Sequence, residues 1–247
     1  PRPALPAPRA QAMDLLFRRH ARLDSRGFFG AVEEAGYGDL SASPFAGPIF
    51  LGCCEDGHSA AGVNFAAFQQ ALGRLEVARG VFRAAGAGPG GRISSEVFPR
   101  LLHQLLARVA AEEDASGFDH LLEADGRCSE VFREFDTLED GSISEAECGA
   151  MCLVLASAAD AYVASSQGSR SGLSRREYGR ALQLLGLGDV ERAFCGQLVD
   201  GVFQRLDAGG AGAVGLPEFW LGAARLMRPV AALGRVRGVS GWPGWPA

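Results

Sequence analysis

The segment that most constrains the fold of this chain is residues 131–147. Two phenylalanines, Phe132 and Phe135, come just before a twelve-residue run that begins with Asp136 and ends with Glu147. Numbered from its first residue, this run has acids at positions 1, 5 and 12, glycine at position 6 and isoleucine at position 8.

This pattern closely resembles an EF-hand, in which two helices flank a calcium-binding loop of twelve residues. The resemblance implies a calcium site formed by Asp136, Asp140, Ser142, Ser144 and Glu147. It also implies that the apolar residue at position 8 pairs with the same position of a neighbouring loop. Position 3, a further ligand in the family, is a leucine here and cannot coordinate a cation. We therefore expect weak calcium binding, with a Kd of about 10⁻⁵ to 10⁻³ M.

Weaker copies of this pattern recur along the chain. They share an apolar residue at position 8 and an aromatic residue at position 13, and their loops begin at Asp56, Gly86, Ser166 and Asp207. A further copy is predicted to begin near Ala21, supported by a phenylalanine before it and Gly27-Phe28 within it. None of these copies keeps acids at positions 1, 5 and 12. Calcium is therefore expected at one loop at most, and no other cofactor is expected.

The spacing of the copies supports the same organisation. Loops that start at 56 and 86, and at 136 and 166, lie 30 residues apart, which leaves 18 residues after a twelve-residue loop. Because residues 67–85 and 146–165 contain no proline, we expect two continuous helices there, each leaving one unit and entering the next. Pairing then joins the loops at 21 and 56, at 86 and 136, and at 166 and 207. A short helix is expected at 118–123.

The predicted fold class is all-α, with serial EF-hand-like helix–loop–helix pairs and two-residue β bridges between paired loops. The predicted divisions are a leader or flexible arm at 1–12, a degenerate pair at 13–80, a pair with the near-complete loop at 81–150, a degenerate pair at 151–230, and an Arg/Trp/Pro/Gly tail at 231–247.

Composition narrows the function classes. All 24 basic residues are arginine, and asparagine and isoleucine are also rare, which indicates a GC-biased gene. Arginine abundance is therefore no evidence of nucleic acid binding, and no nucleic acid partner is predicted. Both ends of the chain are basic and its middle is acidic, a distribution that suits docking on an acidic protein partner. No nucleophile, base and orienting group come together in the sequence, so we predict a protein that is not an enzyme.

Two further features bear on location. The longest apolar stretch, 148–166, is interrupted by Asp160, so we predict a core helix and no transmembrane segment. Cys148 and Cys152 fall where other copies place core residues, and core packing is favoured over metal binding for them. The six cysteines have no zinc-ligand spacing, which favours a reducing compartment.

Residues 14–83 are also similar to the tubulin-polymerisation-promoting family, which is itself EF-hand-like. The likeness is carried by Phe17-Arg18-Arg19, Phe50 and the segment 62–72, where Phe65, Phe68, Ala71 and Leu72 follow one another at helical spacing. It implies a microtubule-associated role with tubulin as a partner. Because serial degenerate EF-hand pairs also occur in structural parts of cilia, the expected location is cytoplasmic and extends to the cilium or axoneme.

Three hypotheses remain open from the sequence. The first is a structural scaffold that serves as an accessory subunit of a microtubule or ciliary assembly. The second is a weak calcium-responsive regulator that uses the loop at 136–147. The third is an accessory subunit of a mitochondrial or plastid complex, inside the organelle, with residues 1–12 as the remnant of a transit peptide.

Overall fold

The computed structural model describes residues 22–38, 40–54, 62–87, 91–109, 127–166, 172–187, 197–207 and 210–236. Within these ranges the chain forms nine helices, which we number α1 Ser25–Glu34, α2 Ala46–Cys53, α3 Phe65–Ala84, α4 Phe98–Val109, α5 Arg127–Phe135, α6 Glu145–Ser165, α7 Arg175–Leu184, α8 Gln197–Leu206 and α9 Leu216–Val236. Four two-residue strands complete the described structure: β1 Ile93–Ser94, β2 Ser142–Ile143, β3 Leu173–Ser174 and β4 Ala213–Val214. The predicted all-α class is confirmed.

Short antiparallel pairings join segments that are far apart in sequence. Strand β1 pairs with β2 so that Ile93 faces Ile143. Strand β3 pairs with β4 so that Leu173 faces Val214. All four of these side chains are buried, because alternate residues of a strand point to opposite sides and the apolar one turns inward. The loops at 86 and 136, and those at 166 and 207, are therefore neighbours.

The predicted loop that begins near Ala21 is wrong, because Gly27 and Phe28, which were expected within it, lie in α1. An isolated bridge pairs Leu23 with Val63. Asp24 caps α1 by accepting a hydrogen bond from the Gly27 amide at 2.7 Å. Phe28 therefore lies in the first turn of a helix, fully buried, and not within a loop.

Both long helices expected from the spacing are present as α3 and α6. They cross the predicted division points at 80 and 150 without a break, and they pack against each other. A methyl group added at Gly149 would lie 3.0 Å from Leu75 Cδ2, so the glycine allows the two helices to approach closely. Cys148 and Cys152 are buried in this contact, as predicted, and burial raises the pKa of both thiols.

Helix α6 lies at the centre of the fold and contacts α2, α3, α4, α5, α7 and α9. A stack of three rings joins parts of the chain that are distant in sequence. The rings of Phe45 and Phe135 have their centroids 4.8 Å apart, and those of Phe135 and Trp220 are 6.2 Å apart. Apart from Ala156, the buried apolar residues of all the described helices belong to one contiguous core.

Among the described helices, α6 alone is long and apolar enough to meet the length and composition criteria of a membrane span. Most of its apolar window, 78%, is buried against the other helices. Because the core helix of a compact fold meets the same criteria, this is weak evidence for a span. The predicted tail at 231–247 begins too early, because α9 continues to Val236. The remainder of that tail, the arm at 1–12 and the helix predicted at 118–123 lie outside the described residues.

Candidate metal site

The loop at 136–147 is held at both ends by packed apolar residues. Helix α5 delivers Phe132, whose ring lies edge-on to that of Phe98 with centroids 5.2 Å apart. On the other side, Ile143 pairs with Ile93, and the chain enters α6 directly afterwards. Ser144 caps this helix, so both ends of the loop are positioned by contacts that need no bound ion.

Glu147, at position 12, connects the two ends of the loop. Its Oε1 accepts hydrogen bonds from the amide and the hydroxyl of Thr137, both at 2.8 Å. Its Oε2 accepts from the amide of Ser144 at 2.9 Å and from its hydroxyl at 2.8 Å. Burial raises the pKa of Glu147, but the hydrogen bonds from Ser144 and Thr137 outweigh it and leave the pKa below its usual range. The ionised carboxylate acts as a clamp across the loop.

Asp136, at position 1, caps the turn that follows it. Its Oδ1 accepts from the Asp140 amide at 3.1 Å, and its Oδ2 accepts from the Gly141 amide at 2.9 Å. Gly141 has a φ of +77°, and Glu139 before it has a φ of +54°, a left-handed conformation that is uncommon outside glycine. The buried Asp136 carboxylate therefore holds a tight turn by accepting two backbone N–H groups.

The middle of the loop is held by an arginine from the paired segment. Arg92 donates to Asp140 Oδ2 and, at 3.0 Å, to the Ser142 hydroxyl. Asp140 Oδ1 also accepts from the Ser142 hydroxyl at 2.6 Å and from its amide at 3.0 Å. The Ser142 hydroxyl and the Arg92 charge hold the pKa of the exposed Asp140 below its usual range. A guanidinium thus lies on two of the predicted calcium ligands.

These placements decide how the loop fits calcium, which takes six to eight oxygen ligands. Every carboxylate of the predicted set already accepts hydrogen bonds from the loop amides, its hydroxyls or Arg92. Leu138, at position 3, supplies no oxygen, and 65% of its surface is exposed. The described part of the chain contains no group of three His, Cys, Asp or Glu side chains arranged to hold a metal. As placed here, the residues do not fit a calcium ion.

The loop at 207–218 repeats part of this arrangement. Asp207 Oδ1 accepts from the Ala211 amide and Oδ2 from the Gly212 amide, both at 2.8 Å. Beside it, Ser174 caps α7 and Glu177 Oε2 accepts from the Ser174 hydroxyl at 2.7 Å. The central residues of the loops at 56, 86 and 166 lie largely outside the described residues.

A second arginine, Arg79 of α3, fixes the start of the helix that follows the loop. Its Nε donates to Glu145 Oε1 at 2.6 Å, and its guanidinium lies 4.1 Å from the centroid of the Tyr37 ring. It also donates to the carbonyl oxygen of Gly36. Only 12% of the Arg79 side chain is exposed, so Arg79 joins the turn after α1 to α3 and α6 from a largely buried position.

Sequence reasoning missed Arg92 and Arg79. A signal existed for Arg92, because it comes one residue before Ile93, and Ile93 was expected to pair with the loop at 136. No comparable signal marks Arg79, whose partner Glu145 is 66 residues away along the chain. In comparisons with known proteins, no family model, curated protein or solved structure matches this chain.

Proposed function

We propose that this chain is a non-enzymatic structural protein of EF-hand-like units, an accessory subunit of a larger microtubule or ciliary assembly, whose units hold their shape without calcium. The observation that carries this proposal is the loop at 136–147. Its acids at positions 1, 5 and 12 are held by the protein's own amides, hydroxyls and Arg92. A sensor needs those acids for the ion and a loop that rearranges when the ion binds.

The pairings of Leu23 with Val63, Ile93 with Ile143 and Leu173 with Val214 support the EF-hand-like interpretation. In the second and third pairs both residues lie at position 8 of loops that this interpretation makes neighbours, and in the first pair Val63 does. Each unit then contributes an entering and a leaving helix to the shared core.

Core burial supports a scaffold in the units that have lost their ligands. The loop at 86 has no acid at positions 1 or 12, yet the apolar residues around it are almost fully buried: Phe82, Ile93, Phe98, Leu101 and Leu102. Burying one such side chain stabilises the folded state by about 1.5–3 kcal/mol. These residues are sufficient to hold the two helices together without an ion.

The microtubule part of the proposal rests on the similarity of residues 14–83 to the tubulin-polymerisation-promoting family. In the described part of that range, Phe28, Phe50 and Phe68 pack edge-on, with Phe28 5.9 Å from each of the other two rings. These aromatic residues therefore act in the core, and contact with tubulin would use the exposed surface. Co-sedimentation of the full chain with taxol-stabilised microtubules tests this directly.

The alternative function, a weak calcium-responsive regulator, is favoured by one observation. Only the loop at 136–147 has acids at all three of positions 1, 5 and 12, whereas each of the other loops keeps at most two of them. A regulator of this kind would gain stability when calcium is added, because a ligand that binds only the folded state raises the melting temperature.

Thermal melts separate the two functions. The full chain is melted with excess chelator and with millimolar calcium, beside Phe98→Ala and the control Arg100→Ala, which changes an exposed residue of the same helix. The scaffold predicts the same melting temperature in both buffers. It also predicts a loss of about 3–5 kcal/mol for Phe98→Ala and a change within about 0.5 kcal/mol for the control. A large drop of the wild-type melting temperature in chelator would overturn it.

A further inference from the structure

We propose that the guanidinium of Arg92 takes the place of a bound cation in the loop at 136–147, and that this loop binds a divalent cation only when Arg92 is displaced. The inference deepens the structural role proposed above and rests on its interpretation of 136–147 as a former cation loop. It concerns how the loop is stable without an ion, and which residue of the paired segment opposes the binding of one.

The β1–β2 pairing places Arg92 beside the predicted cation ligands of the loop at 136–147. Ile93 and Ile143 both face the core, so residues next to them in the two strands face outward. Arg92 precedes Ile93, and Ser142 precedes Ile143, so both side chains lie on the outer side of the pairing. From there the guanidinium reaches Asp140 and Ser142, at positions 5 and 7 of the facing loop.

The charge of Arg92 then opposes any second cation. The guanidinium carries a positive charge and presents only N–H donors, so it attracts carboxylates and repels cations. A divalent ion that approached Asp140 would meet this charge at a separation of about 4 Å, and it would have to displace two hydrogen bonds. Nearly half of the Arg92 side chain, 46%, is exposed, so it can swing into solvent at small cost to the fold.

The loop without Arg92 would offer hard oxygen ligands. Asp136, Asp140 and Glu147 provide carboxylates and Ser142 provides a hydroxyl and a carbonyl oxygen, a set that suits calcium better than zinc or copper. Because Leu138 supplies no oxygen, the site would remain at the weak end of the range for such loops, with a Kd of about 10⁻⁵ to 10⁻³ M. Arg92 therefore lowers the calcium affinity of a loop that would bind calcium only weakly without it.

The test is a calorimetric titration of the full chain with calcium chloride at constant ionic strength. Arg92→Ala and Arg92→Gln are compared with the wild type, and Arg175→Ala is the matched control. Arg175 forms a similar partly exposed ion pair with Asp200 beside the other strand pair, and its removal changes the net charge equally. Melting temperatures in chelator establish that each variant is folded before it is titrated.

We expect both Arg92 variants to bind calcium at least about tenfold more tightly than the wild type, a difference of about 1.4 kcal/mol. Arg175→Ala should behave as the wild type does, and Arg92→Ala with Glu147→Gln should lose the gain. Equal affinity of the wild type and both Arg92 variants would overturn the inference, and so would an equal gain in Arg175→Ala. Either of these results would leave the scaffold role intact, since that role is judged by the chelator melts of the wild type.

Discussion

Two loops of the chain, 136–147 and 207–218, keep an aspartate at position 1 and a glutamate at position 12. Their aspartates act in the same way: Asp136 and Asp207 each accept the amides at positions 5 and 6 on separate carboxylate oxygens. The two loops also end in the same pairing of a buried apolar residue at position 8. An acid at position 1 therefore has a structural role that needs no cation.

The loops differ in what surrounds that shared turn. In 136–147, Ser144 and Glu147 form a reciprocal cap at the start of α6, and Arg92 covers Asp140. In 207–218 the residue before α9 is Gly215, which has no hydroxyl, and position 5 is Ala211, which has no side-chain oxygen. Since the turn is alike in both, we infer that the first aspartate is retained for folding, and that only the surrounding residues differ in their suitability for an ion.

The largest expected loss of stability comes from removing the aspartate at position 1 of each loop. Asp136→Ala should destabilise the protein by about 2 kcal/mol and Asp207→Ala by about 1 kcal/mol, because two loop amides lose a charged acceptor in each case. The loss is larger for Asp136, which is buried, than for the half-buried Asp207. Urea unfolding in the presence of chelator measures both, with the exposed Glu33→Ala as the control. If neither variant differs from the control, the two aspartates are not turn caps.

Positions 8 and 13 of the repeating pattern predicted which segments would be neighbours. Ile93, Ile143, Leu173 and Val214 are apolar residues at a fixed distance after a loop start, and the strand pairs form at those residues. The same rule failed near Ala21, because Phe28 and Leu23 are both apolar and neither frame that puts one of them at position 8 has an acid at positions 1, 5 or 12. In the structure Leu23 is the residue that pairs with Val63, and Phe28 belongs to the helix that Asp24 caps.

The candidate site was predicted less completely than the fold. Sequence spacing placed Asp136, Asp140, Ser142, Ser144 and Glu147 in one loop, where the structure also has them. It did not foresee that Asp136 and Glu147 accept hydrogen bonds from the loop itself, because these depend on the folded turn, or that Arg92 reaches Asp140 from 48 residues away. The position of Arg92 before Ile93 was a signal, but the reach of its side chain depends on how the two strands pair.

A smaller effect concerns the cap that distinguishes the two loops. Ser144→Ala should cost about 1 kcal/mol, because the amide of Glu147 loses its acceptor at the start of α6. Gly215→Ser should instead stabilise the protein by a few tenths of a kcal/mol by supplying the missing hydroxyl. A Cβ at Gly215 would lie 2.7 Å from Glu218 Oε2, the end of a flexible side chain that can move aside. Chemical denaturation detects both changes, with the exposed Ser129→Ala as the control.

A loss of stability in Gly215→Ser would mean that the start of α9 is shaped for glycine and differs from the start of α6. The two loops would then share only the turn that the aspartate at position 1 holds. A gain in Gly215→Ser together with a loss in Ser144→Ala would show that the glutamate at position 12 acts as a helix cap in both.

The smallest effect is the dependence of stability on pH through the same cap in the loop at 166–177, where Arg170 at position 5 opposes any cation. The hydroxyl and amide of Ser174 hold the pKa of Glu177 below its usual range. A carboxyl group whose pKa is lowered by folding stabilises the protein above the pKa of the unfolded chain, about 4.3, and loses this contribution as the pH falls through the lower folded value.

Glutamine can also occupy this capping position, so Glu177→Gln removes the charge and keeps the side-chain acceptor. The unfolding free energies of wild type and Glu177→Gln should therefore differ at pH 7 and converge as the pH falls below about 4. In a Ser174→Ala background, which lacks the hydroxyl donor, this convergence should be weaker. A difference that stays constant from pH 7 to pH 3 would assign the stability to packing around Glu177, and its carboxylate would then have no part in the cap.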